Sequence, residues 1–177
     1  MIHDEEKNTS VQYGFHFNWP RSSTSLPIFE RVCCGTGAFT DALRKEGWAA
    51  QGVDIAPGML AQAHKKGLSC ALGDVLKGLE LADHSFDHVS AAYVAHGLRK
   101  DDRHRLFTEM RRLSRGLVLL HDYTPDRHPL TTLIEYLEGG DYFNFIQTGE
   151  EEMRAVFSDM KVVRVGPRAA WYVCRVG

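Results

Sequence analysis

The chain has 177 residues, of which 44% are apolar and 25% are charged, so it can form one domain with a substantial hydrophobic core. Its formal net charge of -2 and its dispersed basic residues give no general attraction to nucleic acid. The first ten residues are polar, and no later segment approaches the roughly 18 continuous apolar residues of a membrane helix. Composition therefore predicts a cytoplasmic protein without a nucleic-acid or membrane partner, and it leaves the oligomeric state open.

The spacing of cysteine and histidine residues does not suggest a metal site. Adjacent cysteines in a strand point to opposite faces, and none of the four has the spacing of metal ligands. The four are Cys33, Cys34, Cys70 and Cys174. The closest pair of histidines, His84 and His88, lies at the start of a predicted strand rather than along a helix. We therefore expect buried thiols in reducing surroundings and no bound metal.

Apolar periodicity predicts an alternation of strands and helices. The predicted strands cover residues 27–34, 49–54, 68–72, 86–92 and 116–123. The predicted helices cover residues 38–46, 57–66, 101–114, a stretch after Pro129, and residues 150–157. The segments MKVVRVG and AAWYVCRV are predicted to form two further strands joined by a Gly–Pro turn, and hence an antiparallel hairpin.

Such an alternation is typical of a doubly wound α/β fold, here with a mostly parallel seven-stranded sheet that ends in the hairpin. Residues 1–25 are interpreted as a lead-in that forms a lid or a tail, and residues 26–177 as the domain itself. In doubly wound sheets, ligands bind beyond the carboxyl ends of the strands. Candidate functional residues are therefore sought at that edge.

The segment VCCGTG, residues 32–37, lies between the first predicted strand and the first predicted helix. A glycine turn at this place exposes backbone N–H groups at the positive end of a helix, and the missing Cβ atoms of Gly35 and Gly37 allow a ligand to approach closely. This pattern favours a nucleotide or nucleoside-like ligand. The alternative is a glycine turn required only by the chain path.

Two carboxylates follow the second and third predicted strands at the same edge. Asp54 stands where a carboxylate can accept both hydroxyls of a ribose, and Asp74 could accept from the exocyclic amine of an adenine. Each has a structural alternative, because Asp54 could cap the helix that Pro57 begins and Asp74 could form a turn. The order of the glycine turn and the two acids along one edge favours the binding interpretation.

The motifs VCCGTGAF, GVDIAPGMLAQA, ALGDV and SFDHV resemble those of class I S-adenosylmethionine-dependent methyltransferases, in particular the small bacterial type 11 group. The resemblance covers about residues 26–177 and implies a Rossmann-like methyltransferase fold. It implies that the glycine turn contacts the methionine end of the cofactor, that Asp54 holds the ribose and that Asp74 holds the adenine amine. The implied cofactor-binding residues are Arg31, Cys33, Gly35, Thr36, Gly37, Asp54, Ile55, Met59, Gly73, Asp74 and Val75.

One position departs from the family pattern. The family carries an acidic residue two positions before the first glycine or cysteine of the turn, and this chain has Arg31 there. Glu30 is one residue away, and a shift of one residue along a strand reverses the face. We expect Arg31 either to weaken binding of the cationic cofactor or to hold its carboxylate.

Two other classes of protein compete with a methyltransferase. A dinucleotide fingerprint would require a third glycine at position 40, where the chain has Thr40, so a nicotinamide-dependent oxidoreductase is disfavoured. A non-catalytic sensor or partner protein that binds S-adenosylmethionine remains an alternative, supported by Arg31 and the unusual amino terminus.

Methyl transfer from a sulfonium is an in-line displacement that depends mainly on positioning, with a base useful where the acceptor loses a proton. The candidate bases follow the fourth and fifth predicted strands, and His96 is the first choice because its ordinary pKa suits a base at neutral pH. The candidates are Tyr93, His96, His121, Asp122 and Tyr123. We expect a small-molecule acceptor, with the aromatic run DYFNF inside residues 124–148 lining a partly apolar pocket.

Overall fold

The computed structural model describes the backbone of residues 28–32 and the full residues 34–124 and 141–177. The lead-in, Cys33, the side chains of Glu30 and Arg31, and the helix predicted after Pro129 lie outside the described residues. The strands are β1 (Ile28–Val32), β2 (Ala49–Asp54), β3 (Cys70–Leu72), β4 (Phe86–Ala92), β5 (Ser114–Tyr123), β6 (Asp159–Arg164) and β7 (Ala169–Arg175). The helices are α1 (Ala38–Lys45), α2 (Pro57–Lys65), α3 (Lys100–Leu113) and α4 (Tyr142–Val156).

The described strands form one seven-stranded sheet in the order β3-β2-β1-β4-β5-β7-β6. The first five strands in this order are parallel, and β7 runs antiparallel to both β5 and β6. The chain moves outward from β1 to β3 and then returns to the other side of β1 with β4. The carboxyl ends of β2, β1, β4 and β5 therefore meet along one edge, on either side of the point where the strand order reverses.

Helices cover both faces of this sheet. Alternate residues of β5 point to opposite faces, so Val118 and Leu120 pack in a core formed with α3 and α4, whereas Leu119 packs against Trp171 and residues of α1. The near-continuous apolar sequence of β5 follows from this burial on two sides. Among the described helices, none combines the length and hydropathy needed to cross a membrane.

The last helix differs from the sequence-based expectation. A short helix was predicted over residues 150–157, but α4 begins at Tyr142. Tyr142 and Phe145 are 1% and 2% exposed and belong to the core on the α3 side of the sheet. The prediction that the run DYFNF lines a pocket is therefore wrong for these two rings, because both are buried in the core against the sheet and α3.

A buried arginine joins α3, α4 and the loop that follows β4. The side chain of Arg103 has no solvent exposure, and its guanidinium donates to the carboxylates of Glu152 and Asp141 at 2.6 to 2.9 Å. It also donates to the carbonyl oxygen of Leu98, just beyond the 3-10 turn Ala95–Gly97, at 2.6 Å. A buried charge needs partners of this kind, and these partners fix the three segments relative to one another.

The close packing of Cys34 and Cys70 against β2 requires a glycine at position 52. A Cβ atom added to Gly52 would lie 2.5 Å from Cys34 Cβ and 3.1 Å from the Sγ atoms of both Cys34 and Cys70. These two buried thiols are reduced, and their Sγ atoms lie 3.2 Å apart, one in the glycine turn and the other at the start of β3. Gly52 thus allows the turn to pack tightly against β2.

We expect the substitution Gly52→Ala to lower the free energy of unfolding by about 1–3 kcal/mol, because an extra methyl group overfills this packed region. The matched control is Gly58→Ala, since a Cβ added in α2 would meet no atom within 4 Å. The control should leave stability unchanged or raise it by up to about 1 kcal/mol. Urea denaturation of both variants measures the difference, and equal stabilities would contradict this account of Gly52.

Candidate functional site

The glycine turn connects β1 to α1 at the carboxyl edge of the sheet. Gly35 and Gly37 have φ angles of +54° and +76°, in the left-handed region that favours glycine. The backbone N–H of Cys34 donates to Val53 O at 2.9 Å, and Gly37 O accepts from the N–H of Asp41 at 2.8 Å as α1 begins. The turn therefore presents backbone at the start of a helix, as the sequence predicted.

Asp54 links this turn to the next one. Its carboxylate accepts from the N–H of Gly35 at 2.6 Å through Oδ2, and from the N–H of Ala56 at 2.9 Å through Oδ1. The side chain is 8% exposed. Because each carboxylate oxygen has two lone pairs, these contacts leave acceptor capacity for a ligand. The helix-capping role considered for Asp54 is observed only indirectly: Ala56 is the N-cap residue of α2, and the Asp54 carboxylate accepts from its N–H.

Asp74 follows β3 and shapes a short turn. Its Oδ1 accepts from the N–H of Leu76 at 3.0 Å at the start of the 3-10 turn Val75–Lys77, and its Oδ2 lies 3.2 Å from Lys77 Nζ. The turn-forming role considered for Asp74 is thus observed, and it leaves lone pairs on both oxygens.

Apolar side chains stand exposed beside these two acids. The exposed fractions are 60% for Ile55, 42% for Met59 and 67% for Leu72. Leu72 is the register partner of Asp54 in the parallel pair β2–β3, so their side chains point to the same face. Exposed large apolar side chains grouped beside polar groups are typical of a binding surface.

Ile55 and Met59 are among the predicted cofactor-binding residues, and Leu72 is not. An apolar residue at the end of the third strand was a usable signal, but its exposure was not visible from sequence. Val75, by contrast, is 7% exposed with its side chain in the core, so that side chain is not part of the exposed apolar group. Gly73 is required for packing, because an added Cβ would lie 2.8 Å from Val53 Cγ1.

The other residues predicted at the cofactor site are described in part. The carbonyl oxygen of Thr36 accepts from Lys66 Nζ at 2.9 Å, which links the glycine turn to the end of α2. The predicted roles of Cys33 and of the Arg31 side chain lie outside the described residues, so the expectation for Arg31 stays a prediction.

A second group of residues lies at the carboxyl ends of β4 and β5. It contains all five candidate bases: Tyr93, His96, His121, Asp122 and Tyr123. His96 Nδ1 lies 2.7 Å from Asp122 Oδ1, and the Asp122 side chain has no solvent exposure. Asp122 also accepts from the backbone N–H groups of Ala95 at 3.0 Å and Tyr123 at 2.9 Å. The pair is an imidazole held by a buried carboxylate.

Tyr93 forms an exposed wall beside this pair. Its φ angle of +53° is unusual for a residue with a large side chain, and its backbone N–H donates to His121 O at 2.8 Å. Its ring centroid lies 4.8 Å from that of His121 and 5.7 Å from that of Tyr123, both edge-on. Burial and the charge of Asp122 raise the pKa of the Tyr93 hydroxyl, which keeps it protonated.

His121 packs against β7. Its ring stacks on Trp171, with centroids 4.6 Å apart and planes 11° apart. This contact belongs to the packing between β5 and β7, in which the two residues are register partners. In the part of the chain that the structure describes, no group of three or more His, Cys, Asp or Glu side chains could hold a metal ion.

Comparisons with known proteins agree with this architecture. Residues 31–116 match a family model described as a methyltransferase domain. None of the curated proteins compared matches the chain in sequence.

Several solved structures share the fold at low sequence identity. A protein from Pyrococcus horikoshii OT3 is 18% identical, with a TM-score of 0.70 over 87% of this chain and 84% of that chain. Magnesium protoporphyrin IX methyltransferase from Synechocystis PCC 6803, with bound S-adenosylhomocysteine, is 16% identical, with a TM-score of 0.65 over 86% and 75%. An S-adenosylmethionine-dependent methyltransferase from Methanosarcina mazei is 16% identical, with a TM-score of 0.63 over 86% and 93%.

These likenesses confirm the predicted α/β, Rossmann-like architecture. The family match extends from the last residues of β1 into the start of β5 and includes the glycine turn, both acids and His96. Residues 31–116 thus resemble a methyltransferase domain, and the fold is shared with S-adenosylmethionine-dependent methyltransferases, which agrees with the predicted family, enzyme class and cofactor.

Proposed function

We propose that the protein transfers the methyl group of S-adenosylmethionine to a small-molecule acceptor, with His96 as general base and Asp122 as the residue that orients it. The observation that carries this proposal is the His96–Asp122 pair, with Nδ1 and Oδ1 2.7 Å apart, at the carboxyl ends of β4 and β5 and on the same sheet edge as the proposed cofactor site. The site lies on the domain proposed for residues 26–177, at the carboxyl edge of its doubly wound sheet.

The cofactor is proposed to lie across the carboxyl ends of β1, β2 and β3. The glycine turn would face its methionine end, and Asp54 would accept from its ribose hydroxyls. Asp74 would accept from the adenine amine, and Ile55, Met59 and Leu72 would cover the apolar faces of the adenine. The support is that these side chains are exposed or retain acceptor capacity at one edge.

A small acceptor is favoured by charge and by the composition of the β4–β5 end. The net charge of -2 gives no electrostatic pull toward a phosphate backbone. Three aromatic or imidazole side chains, Tyr93, His96 and Tyr123, form a compact group there rather than an extended basic groove. Relatives of this fold have diverse acceptors, since one is named for magnesium protoporphyrin IX and another for phosphoethanolamine, so the fold alone does not choose the acceptor.

We expect Asp54→Ala to weaken binding of S-adenosylmethionine ten- to more than a hundredfold, because two charge-assisted hydrogen bonds to the ribose are lost. The substitution also leaves the N–H groups of Gly35 and Ala56 without their acceptor, which should lower the free energy of unfolding by about 1–3 kcal/mol. Calorimetry at a temperature where the variant remains folded measures affinity. The control is Asp83→Ala, which removes an exposed carboxylate outside the proposed site. Unchanged affinity in Asp54→Ala would contradict the proposed contact with the ribose.

We expect Leu72→Glu to weaken cofactor binding about tenfold with little change in stability, because Leu72 is exposed yet lies beside Asp54. The matched control is Val163→Glu, an exposed apolar residue on the edge strand β6, far along the sheet from β3. Binding titrations on the two variants provide the comparison. Equal effects on cofactor affinity would remove Leu72 from the site.

We expect His96→Gln to lower kcat by about 10²–10⁴ while cofactor affinity stays within a factor of two, because the variant loses its base and keeps the cofactor edge. Formation of S-adenosylhomocysteine is measured with small compounds that bear hydroxyl, amine or thiol groups. His104→Gln, at an exposed position on α3, is the control and should retain full turnover.

Two outcomes of that measurement would contradict the proposal. Methylation of RNA, DNA or protein in place of every small compound would show that the acceptor class is wrong. Tight binding of S-adenosylmethionine without turnover on any acceptor would favour the alternative function, a non-catalytic sensor or partner protein, for which Arg31 in place of the usual acid is the supporting observation.

A further inference from the structure

We propose that the methyl acceptor is an aromatic hydroxyl compound, whose hydroxyl donates its proton to Nε2 of His96 and whose ring lies against Tyr93. This inference rests on the proposed function and deepens it, because it names the chemical class of the acceptor. Three features of the β4–β5 end carry it: the tautomer of His96, the strength of the base, and the aromatic wall.

The tautomer follows from the geometry around Asp122. The carboxylate is fully buried and accepts from the backbone N–H groups of Ala95 and Tyr123 as well as from His96 Nδ1. An ionised carboxylate only accepts, so the proton of the neutral imidazole is on Nδ1 and the lone pair is on Nε2. The imidazole is thus oriented as a proton acceptor, and its charge after protonation is balanced by the carboxylate behind it.

The identity of the base favours a hydroxyl of phenolic type. A neutral amine already has the lone pair that attacks the methyl carbon, so it gains little from a base before attack. A phenol has a pKa of about 10, within a few units of an imidazole at about 6.5, so proton transfer during attack is feasible. The pKa of an aliphatic hydroxyl is close to that of water, about 15.7, which is too far above the pKa of an imidazole for efficient proton transfer.

The aromatic wall favours a planar acceptor. Tyr93 is 48% exposed, although its backbone is held in the left-handed region and bonded to His121 O. Strained backbone of this kind is concentrated at binding sites, where the surrounding structure fixes a side chain in one place. The rings of His96 and Tyr123 are edge-on at 4.8 Å, and the Tyr93 ring stands 6.4 Å from His96. A flat ring can lie against Tyr93 with its hydroxyl directed to His96.

The reaction that follows balances in atoms and charge. The hydroxyl proton of the acceptor passes to His96 Nε2 as the oxygen attacks the methyl carbon of S-adenosylmethionine. The new O–C bond forms while the S–C bond breaks, and the electron pair of that bond stays on sulfur. The products are an aryl methyl ether, S-adenosylhomocysteine and imidazolium, which then releases its proton to water.

The test uses 4-nitrophenol, because its phenolate absorbs visible light and its phenol does not. The purified 177-residue chain is first titrated calorimetrically with S-adenosylhomocysteine, and 4-nitrophenol is then added to that complex at a pH below its solution pKa. We expect phenolate absorbance to rise on binding as His96 takes the proton. The increase should be lost in His96→Gln and reduced in Asp122→Asn, whereas His104→Gln behaves as the unmodified protein.

Two substitutions of Tyr93 test whether its ring contacts the acceptor. Tyr93→Leu should weaken 4-nitrophenol binding about three- to tenfold, whereas Tyr93→Phe, which keeps the ring, should retain it. Both variants place a side chain at the same left-handed backbone position, so strain is matched between them. Equal weakening in the two would show that the ring is not the contact.

Turnover with S-adenosylmethionine then distinguishes the acceptor classes. Conversion of 4-nitrophenol to its methyl ether is compared with methylation of 4-nitrobenzylamine and 4-nitrobenzyl alcohol, which are similar in size. We expect only the phenol to be methylated, and faster methylation of the amine or the alcohol would overturn the inference. If S-adenosylhomocysteine binds but 4-nitrophenol is neither ionised nor methylated, this inference alone is wrong. If S-adenosylhomocysteine does not bind, the proposed function is wrong as well.

Discussion

The hydrogen bonds of the Asp122 carboxylate hold together the part of the sheet edge on which the proposed chemistry depends. Asp122 lies near the end of β5, yet it accepts from Ala95 and His96 in the loop that follows β4. A buried carboxylate without donors would be costly, so the loop must fold back to supply them. The same contacts that satisfy the charge also orient the imidazole. Structural and proposed chemical roles are therefore inseparable at this residue.

At the proposed cofactor edge a carboxylate is again held by backbone N–H donors, but it is less completely buried than Asp122. Asp54 ends β2 and accepts from backbone N–H groups in two successive turns, so it too organises loops beyond a strand. It retains some exposure, and apolar side chains stand exposed around it. Such exposure has an energetic cost that a bound adenosyl group would remove. The two carboxylates thus organise two parts of one edge, Asp54 the turns that follow β1 and β2, and Asp122 the loop that carries His96.

Local pattern predicted most of the elements because their burial is simple. β2 and β4 begin and end as predicted, and β5 was recognised from its apolar run, since these strands are central and covered on both faces. The start of α4 was missed. Its first turn contains Tyr142, Phe143 and Phe145, and aromatic residues have only moderate helix propensity. Burial against α3 and the sheet outweighs that propensity, and no window of local sequence contains the partners that provide the burial.

The sequence by itself determined which chemical groups end each strand: the glycine turn after β1, Asp54 and Asp74 after β2 and β3, and His96 after β4. Strand periodicity and turn chemistry are local, so these placements could be predicted. Only the tertiary structure decided that His96 pairs with Asp122, 26 residues away, that Leu72 is exposed beside Asp54, and that Val75 turns its side chain into the core. Those outcomes depend on strand register and on burial by distant segments, because the alignment of neighbouring strand ends fixes which side chains meet.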